Sequence, residues 1–256
     1  MKSEITEIQW SWDHPIIQEI LLKYYRDWLF STPEIAQNIV DKIVSLSGVR
    51  PPDHVMDIGC GLGYHATAFA KKGFQVFSFD PGNKYIEIAK RNIDKENIDI
   101  NYKTMSCADL NESERFSLAW AGWYCPGQLT PSEIVQDFRR IYKALIPGGW
   151  FISNVAGKQK IPPMEKVRNW RQLSDCFTLS EKWADETHFH EYSWFVYPKT
   201  NKIIKIIEIE KMYGVKELTP FLIEAGFSDI STARDFTGKE PAQEGDYFVF
   251  WCRKKT

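Results

Sequence analysis

The residues best placed to do chemistry lie in one run, Val55-Met56-Asp57-Ile58-Gly59-Cys60-Gly61-Leu62-Gly63, and at one acid beyond it, Asp80. Glycines at alternate positions let a backbone turn tightly and let a ligand come up against it. The dinucleotide fingerprint, G-x-G-x-x-G, would need a glycine at position 64. That residue is Tyr64, and the third glycine is Gly63. The loop is a poor match for a pyrophosphate. With Asp57 ahead of it, it suits a ligand carrying an ammonium group near an acidic strand end. Asp80, in Phe79-Asp80-Pro81, stands ~20 residues on, where an acid accepts hydrogen bonds from two ribose hydroxyls. Alone it could merely cap the next helix; beside the glycine run it points to a nucleoside.

Other reactive groups are sparser. His188 and His190 lie two apart on a predicted strand and share a face with Tyr192. That face could line an acceptor pocket with one histidine as base, or be solvated. It could also ligate a metal, but two ligands are too few for a site. His65, just after the glycine run, reads as structural, and His14 and His54 have no context. Tyr24, Tyr25 and Trp28 on the first predicted helix, and Trp123 and Tyr124 after the fourth core strand, could place ring faces near a cation, worth ~0.5–2 kcal/mol. The competing role for each is core packing, which is favoured for Trp28. The cysteines, Cys60, Cys107, Cys125, Cys176 and Cys252, are odd in number and form no CxxC pair, which fits reduced thiols and no zinc site.

The elements that position these groups alternate. Ile16, Ile20, Tyr24 and Trp28 recur at helical spacing over 15–30, with Pro15 in the first turn. Thr32-Pro33-Glu34 opens a second helix, which ends near Gly48. Strands at 55–58, 75–79, 98–104, 116–121 and 150–155 then alternate with helices at 64–72, 84–92 and 130–145. The last helix starts with the capping box Thr130-Pro131-Ser132-Glu133. Such alternation means a parallel sheet covered on both faces. The rhythm changes near 156: strands at 176–183, 187–197 and 202–212 read as an antiparallel insertion, too small to stand alone. A helix at 216–225 and a hairpin of strands near 227–234 and 247–253 complete the chain.

The fold class expected is therefore α/β: a Rossmann-like, doubly wound, mostly parallel seven-stranded sheet with N-terminal helices and a small antiparallel β insertion. The divisions expected are a helical cap at 1–48, a core at 49–155 and 214–256, and the insertion at 156–213 over the active site. The 256 residues carry a net charge of −2, without the basic excess of a nucleic-acid binder. The longest apolar run falls short of the ~18 residues a membrane span needs. With no leader pattern at Met1-Lys2-Ser3-Glu4, a cytoplasmic protein is expected.

At this point the residues resemble a known family. Asp57-Ile58-Gly59-Cys60-Gly61-Leu62-Gly63-Tyr64-His65-Ala66, the acid Asp80, and the turn Leu145-Ile146-Pro147-Gly148-Gly149 are similar to the matching pieces of class I S-adenosylmethionine-dependent methyltransferases. The likeness covers about 33–155 strongly and 216–253 weakly. It implies S-adenosylmethionine as cofactor. Asp57, Gly59, Cys60, Gly61 and Gly63 would meet its methionine part, and Asp80 with Pro81 its ribose. Ser106 and Cys107 would flank adenine. Many relatives carry an acid where this chain has Ser106, so either Asp109 serves or backbone and packing hold the base. Ala121, Trp123 and Tyr124 would pass beneath the methyl group and face the acceptor.

Insertions of this kind recur in small-molecule methyltransferases, including sugar-amine and glycine-type N-methyltransferases, where they roof the site and often help dimerise. The resemblance thus implies methyl transfer to nitrogen or oxygen of a small molecule, with no nucleic acid, no membrane, no metal, and a possible homodimer. The rivals are an RNA or protein methyltransferase, a non-catalytic S-adenosylmethionine-binding protein on the same fold and, disfavoured by Tyr64, a nicotinamide enzyme.

Overall fold

The structure is a computed structural model, and it describes residues 4–26, 31–93, 98–155, 166–242 and 247–256. Trp28 lies outside the described residues. The elements, in chain order, are β1 (Glu4–Gln9), α1 (Pro15–Ile20), α2 (Pro33–Ser47), β2 (His54–Ile58), α3 (Tyr64–Lys71), β3 (Gln75–Asp80), α4 (Asn83–Ile93), β4 (Asn101–Thr104), β5 (Phe116–Ala121), α5 (Pro131–Ala144), β6 (Leu145–Val155), β7 (Val167–Gln172), β8 (Phe177–Ala184), β9 (His188–Tyr197), β10 (Lys202–Lys211), α6 (Val215–Ala225), β11 (Ser228–Ala233) and β12 (Phe248–Arg253).

The seven-stranded sheet runs β11-β12-β6-β5-β2-β3-β4. Its strands are parallel except for β12, which is antiparallel to both β6 and β11. This is the doubly wound architecture the alternation implied. The strand order reverses between β2 and β5, the switch point at whose carboxyl ends ligands bind in such sheets. Two cores cover the sheet. Phe77, Phe116, Phe138, Phe151 and Phe250 pack on the side of α5 and α6. Val55, Phe69, Leu118, Trp120 and Ile152 pack on the side of α2 and α3.

The capping box forms: Glu133 N donates to Thr130 Oγ1 at 3.3 Å, and Thr130 N donates back to Glu133 Oε2 at 2.8 Å. Caps of this kind contribute about 0.5–2 kcal/mol. Downstream, Pro147-Gly148-Gly149 does not precede the fifth core strand. It is a kink inside β6, which starts at Leu145 and shifts register against β5 between Phe116 and Leu118.

The second sheet is larger than the sequence suggested. It has five strands in the order β1-β10-β9-β8-β7, with β1 parallel to β10 and the rest antiparallel. Two of these strands left no signal. Every residue of β7 is exposed, and β1 buries only Ile8, so neither shows the period-two alternation of a half-buried strand. The segment read as a helical cap therefore begins with a strand of the roof.

The first helix also differs. It is α-helical only to Ile20 and then widens to a π-turn over Leu21–Tyr25. Such turns occur where side chains are pulled off the α-helical repeat. Here Tyr24 stacks on Phe195 of β9, and Lys23 pairs with Asp175 at 2.6 Å. Ile17, Ile20 and Leu21 bury themselves with Leu62, Tyr85, Phe195, Ile204 and Ile206. Cap and roof thus close together over the glycine loop. Gln18, fully buried, fixes the cap further: its Oε1 accepts Lys84 N at 3.1 Å and its Nε2 donates to Trp12 O at 3.1 Å.

Candidate active site

The glycine loop leaves β2 at the switch point. Gly59 N and Cys60 N donate to Phe79 O at 2.9 and 3.1 Å, Gly63 N donates to Cys60 O at 2.9 Å, and Gly61 N donates to Asp80 Oδ2 at 2.9 Å. These N–H groups are spent inside the fold, so the loop is not a nest for phosphate oxygens. A Cβ on Gly63, whose φ is +78°, would fall 2.3 Å from Tyr102 Oη and 2.9 Å from Ala89 Cβ. A Cβ on Gly59, at φ +66°, would meet nothing within 4 Å. Only glycine fits the first position, and the second opens on free space through which a ligand can reach the backbone.

Asp80 is 6% exposed. Besides Gly61, it holds Gly82 N at 2.8 Å through Oδ1. Burial pushes its carboxyl up to about 6, against the pull of those two N–H groups. A carboxylate offers about four lone-pair sites, so acceptor capacity remains for two hydroxyls. Met105 N donates to Asp80 O at 3.1 Å and draws the end of β4 alongside. There Ser106 N and Oγ both donate to Asp109 Oδ2, at 2.9 and 2.7 Å. Those bonds hold the Asp109 carboxyl below its usual range. Ser106 and Asp109 thus form one hydrogen-bonded unit after β4, and Cys107 is turned toward α5 beside Asp137 O at 4.0 Å. These placements fit a nucleoside with free ribose hydroxyls. Asp57 behaves otherwise than expected of an acid awaiting an ammonium group. It is 1% exposed, accepts Ser78 Oγ at 3.4 Å, and is raised to about 7 by burial. It braces the loop from inside the sheet.

The structure separates the residues read as acceptor-facing. Ala121 is buried, and its carbonyl accepts Ser153 Oγ at 2.8 Å. Tyr124 turns into the core against Phe138, with ring centroids 5.4 Å apart, and burial raises its phenol. Its hydroxyl has no hydrogen-bond partner among the described residues. Trp123 stays outside, 56% exposed. Tyr25 is half-buried beneath the roof, within electrostatic reach of Arg171 and Glu191.

His188, His190 and Tyr192 lie on the face of β9 opposite the one that packs on the cap. Ile204 and Ile206 of β10 face the cap and the glycine loop. Alternation puts Glu208 and Glu210 on that inward face, with their cross-strand partners Glu191 and Phe189. His188 and His190 pair with Lys211 and Ile209 on the outer face. His190 stacks on Trp183 at 4.8 Å, and its Nε2 lies 2.9 Å from Asp185 Oδ2. His188 borders an open cavity of about 250 Å³ at the sheet edge with Trp10, Gly127 and Gln128. Period-two reasoning placed the histidines together correctly but could not say which face meets the core. Among the described residues no group of three or more His, Cys, Asp or Glu side chains could hold a metal.

The inward face carries two acids that the sequence reading passed over. Glu208 and Glu210 are part-buried and have no hydrogen-bond partner among the described residues. Burial raises Glu208 to about 8, helped by Glu210 and Glu191, and raises Glu210 to about 7. Lys182 is already engaged with Glu191 at 2.6 Å. Below them lies the turn after β5: Cys125 is within electrostatic reach of both acids, and a Cβ on Gly127 would be 2.7 Å from Glu210 Cβ. The signal was present in Ile204-Lys205-Ile206-Ile207-Glu208-Ile209-Glu210, where a buried isoleucine face turns acidic at the end nearest the switch point.

Residues 55–149 match the family model of a methyltransferase domain. A protein of Geobacillus sp. (strain WCH70) named "Putative methyltransferase GWCH70_2453" is 25% identical over 230 residues, covering 85% of this chain and 91% of that protein. A ubiquinone biosynthesis O-methyltransferase of Rhodopseudomonas palustris (strain TIE-1) is 34% identical over 160 residues, covering 60% of this chain and 54% of that protein's length. Among solved structures, CalS10 of Micromonospora echinaspora, an amino pentose methyltransferase with S-adenosylmethionine bound, superposes with a TM-score of 0.64. It has 14% identity and covers 94% of this chain and 98% of that one, a likeness of fold. With the glycine loop and Asp80 inside it, the segment 55–149 matches a methyltransferase domain, and along most of its length the chain is similar to methyltransferases in sequence and in fold.

Proposed function

We propose that this enzyme methylates the nitrogen of a small cationic amine, held between the glycine loop and the underside of the roof. The observation that carries this reading is the pair Glu208 and Glu210. Two part-buried carboxyls, neither hydrogen-bonded among the described residues and both raised by burial, lie opposite the turn after β5. Burying such groups unpaired is unfavourable, and a positively charged acceptor would offset that cost. The same acids, with Glu191 nearby, would repel the phosphates of RNA.

S-adenosylmethionine supplies a methyl group on a sulfonium that is already a good leaving group. The chain's own tasks are alignment, exclusion of water and removal of a proton. Alignment alone can lower a barrier by ~7–11 kcal/mol. Gly59 to Gly63 and Asp80 would orient the methionine and ribose parts. The ends of β3 and β4, with the Ser106–Asp109 unit, would flank the base. An ammonium acceptor has no lone pair to offer. The Glu208 carboxylate would take its proton, a role suited to a carboxyl lifted toward neutral pH, and Glu210 would steady the charge that results. Sugar-amine methylation by the structural neighbour CalS10 is consistent with this reading. The O-methyltransferase relative makes hydroxyl acceptors the control.

The test is a panel of matched small amines and alcohols of equal shape, assayed with methyl-labelled S-adenosylmethionine. Label should enter amines only. Transfer to the alcohols, or to tRNA, in preference to every amine would refute the proposal.

A further inference from the structure

Trp123 is the second residue beyond β5, where the chain leaves the carboxyl edge of the sheet. Its φ is 58°, a left-handed conformation that a bulky side chain adopts only under constraint. Asn154, 2% exposed on β6, supplies that constraint. Its Oδ1 accepts Trp123 N at 2.7 Å, and its carbonyl accepts Tyr124 N at 3.1 Å. Its Nδ2 donates to the Tyr247 hydroxyl. Tyr247 in turn packs against Trp123, with ring centroids 5.3 Å apart and planes at 56°.

A buried asparagine and a strained backbone thus hold an indole out in solvent, one residue before a tyrosine that the same turn sends into the core. Burial does not explain this arrangement, because the indole gains little of it. The neighbourhood does. Trp123 O accepts Cys125 Sγ at 3.1 Å, and Cys125 stands beneath Glu208 and Glu210.

We infer that Trp123 and Tyr247 form an aromatic wall of the acceptor site that binds the positively charged nitrogen through ring faces, with Asn154 as the residue that positions it. The inference rests on the amine reading above. Aromatic faces attract ammonium groups, and more so where water is thinned, so carboxylates above and rings at the side make a cage for a methylated cation.

The probe is benzyltrimethylammonium, titrated calorimetrically into the full chain with S-adenosylhomocysteine present, alongside thermal unfolding. Trp123→Ala should weaken binding roughly 3–30-fold, Trp123→Phe should recover most of it, and Asn154→Ala should reproduce the loss with the indole retained. Trp123→Gly should lose the probe but melt no lower than the wild type, because glycine accepts positive φ freely. A lower melting point for Trp123→Gly, or unchanged binding in Trp123→Ala, would overturn the wall. If Glu208→Gln loses the probe while Trp123→Ala keeps it, the wall fails and the amine reading stands. No binding to the wild type refutes both.

Discussion

Replacing Glu208 by glutamine separates the stability of this enzyme from its chemistry. The Glu208 carboxyl rises from 4.5 to about 8, chiefly through burial. That rise opposes the ionised form in the folded state by roughly 4–5 kcal/mol. Between those two values the folded chain keeps a proton that the unfolded chain has released. Stability contributed by this group is therefore full below about pH 4.5, falls as pH rises toward 8, and is flat above. Coupling to Glu210 and local relaxation absorb part of the effect, so about 2 kcal/mol is a realistic share at pH 9.

Glutamine keeps the shape and cannot ionise. Glu208→Gln should match the wild type near pH 5 and melt about 4–8 °C higher at pH 9. Turnover of an amine should drop ~10²–10⁴-fold, with S-adenosylhomocysteine affinity unchanged. The assay is urea or thermal unfolding at both pH values, paired with single-turnover methylation. If the variant and wild type differ equally at pH 5 and pH 9, burial does not govern this carboxyl. If turnover also survives, Glu208 is not the proton acceptor.

Two further outcomes follow from the geometry. Asp80→Ala should weaken S-adenosylhomocysteine binding by about 1.5–3 kcal/mol through lost charge-assisted hydrogen bonds. Wild-type affinity should itself weaken as pH falls through about 6, where Asp80 gains its proton; calorimetry across pH 5–8 checks both. His188→Asn and His190→Asn should each leave turnover within about 3-fold of the wild type, because outward residues cannot supply the ~10²-fold of a general base. A hundredfold loss in steady-state rate would restore them to the site.

Much of the fold was legible because each signal was local. The glycine run, the Thr130 capping box and the helix-stopping glycines specify turns through backbone chemistry, and the seven-stranded core followed from alternation. The roof was legible only in its central strands. Strands β1 and β7 owe their existence to pairing with β10 and β8, and their own side chains stay mostly exposed, so no pattern announces them. The glycine loop and Asp80, where a cofactor is expected, were likewise written in nearly contiguous residues. The proposed acceptor side was not, because it depends on which face of β9 and β10 meets the cap. That choice is set by Ile204 and Ile206 burying against Ile17, Leu62 and Tyr85, contacts between residues far apart in sequence. It sends Glu208 and Glu210 inward and the histidines outward. The two aromatics after β5 diverge for a similar reason: with Trp123 left-handed, Tyr124 packs on Phe138 and the indole stays exposed.

The most direct measurement is a crystal structure of the enzyme with S-adenosylhomocysteine. The account predicts homocysteine density along Gly59–Gly63, ribose hydroxyls on Asp80, and the sulfur facing the space under Glu208 and Glu210. Ribose density away from Asp80, or a sulfur pointing away from the roof, would contradict it.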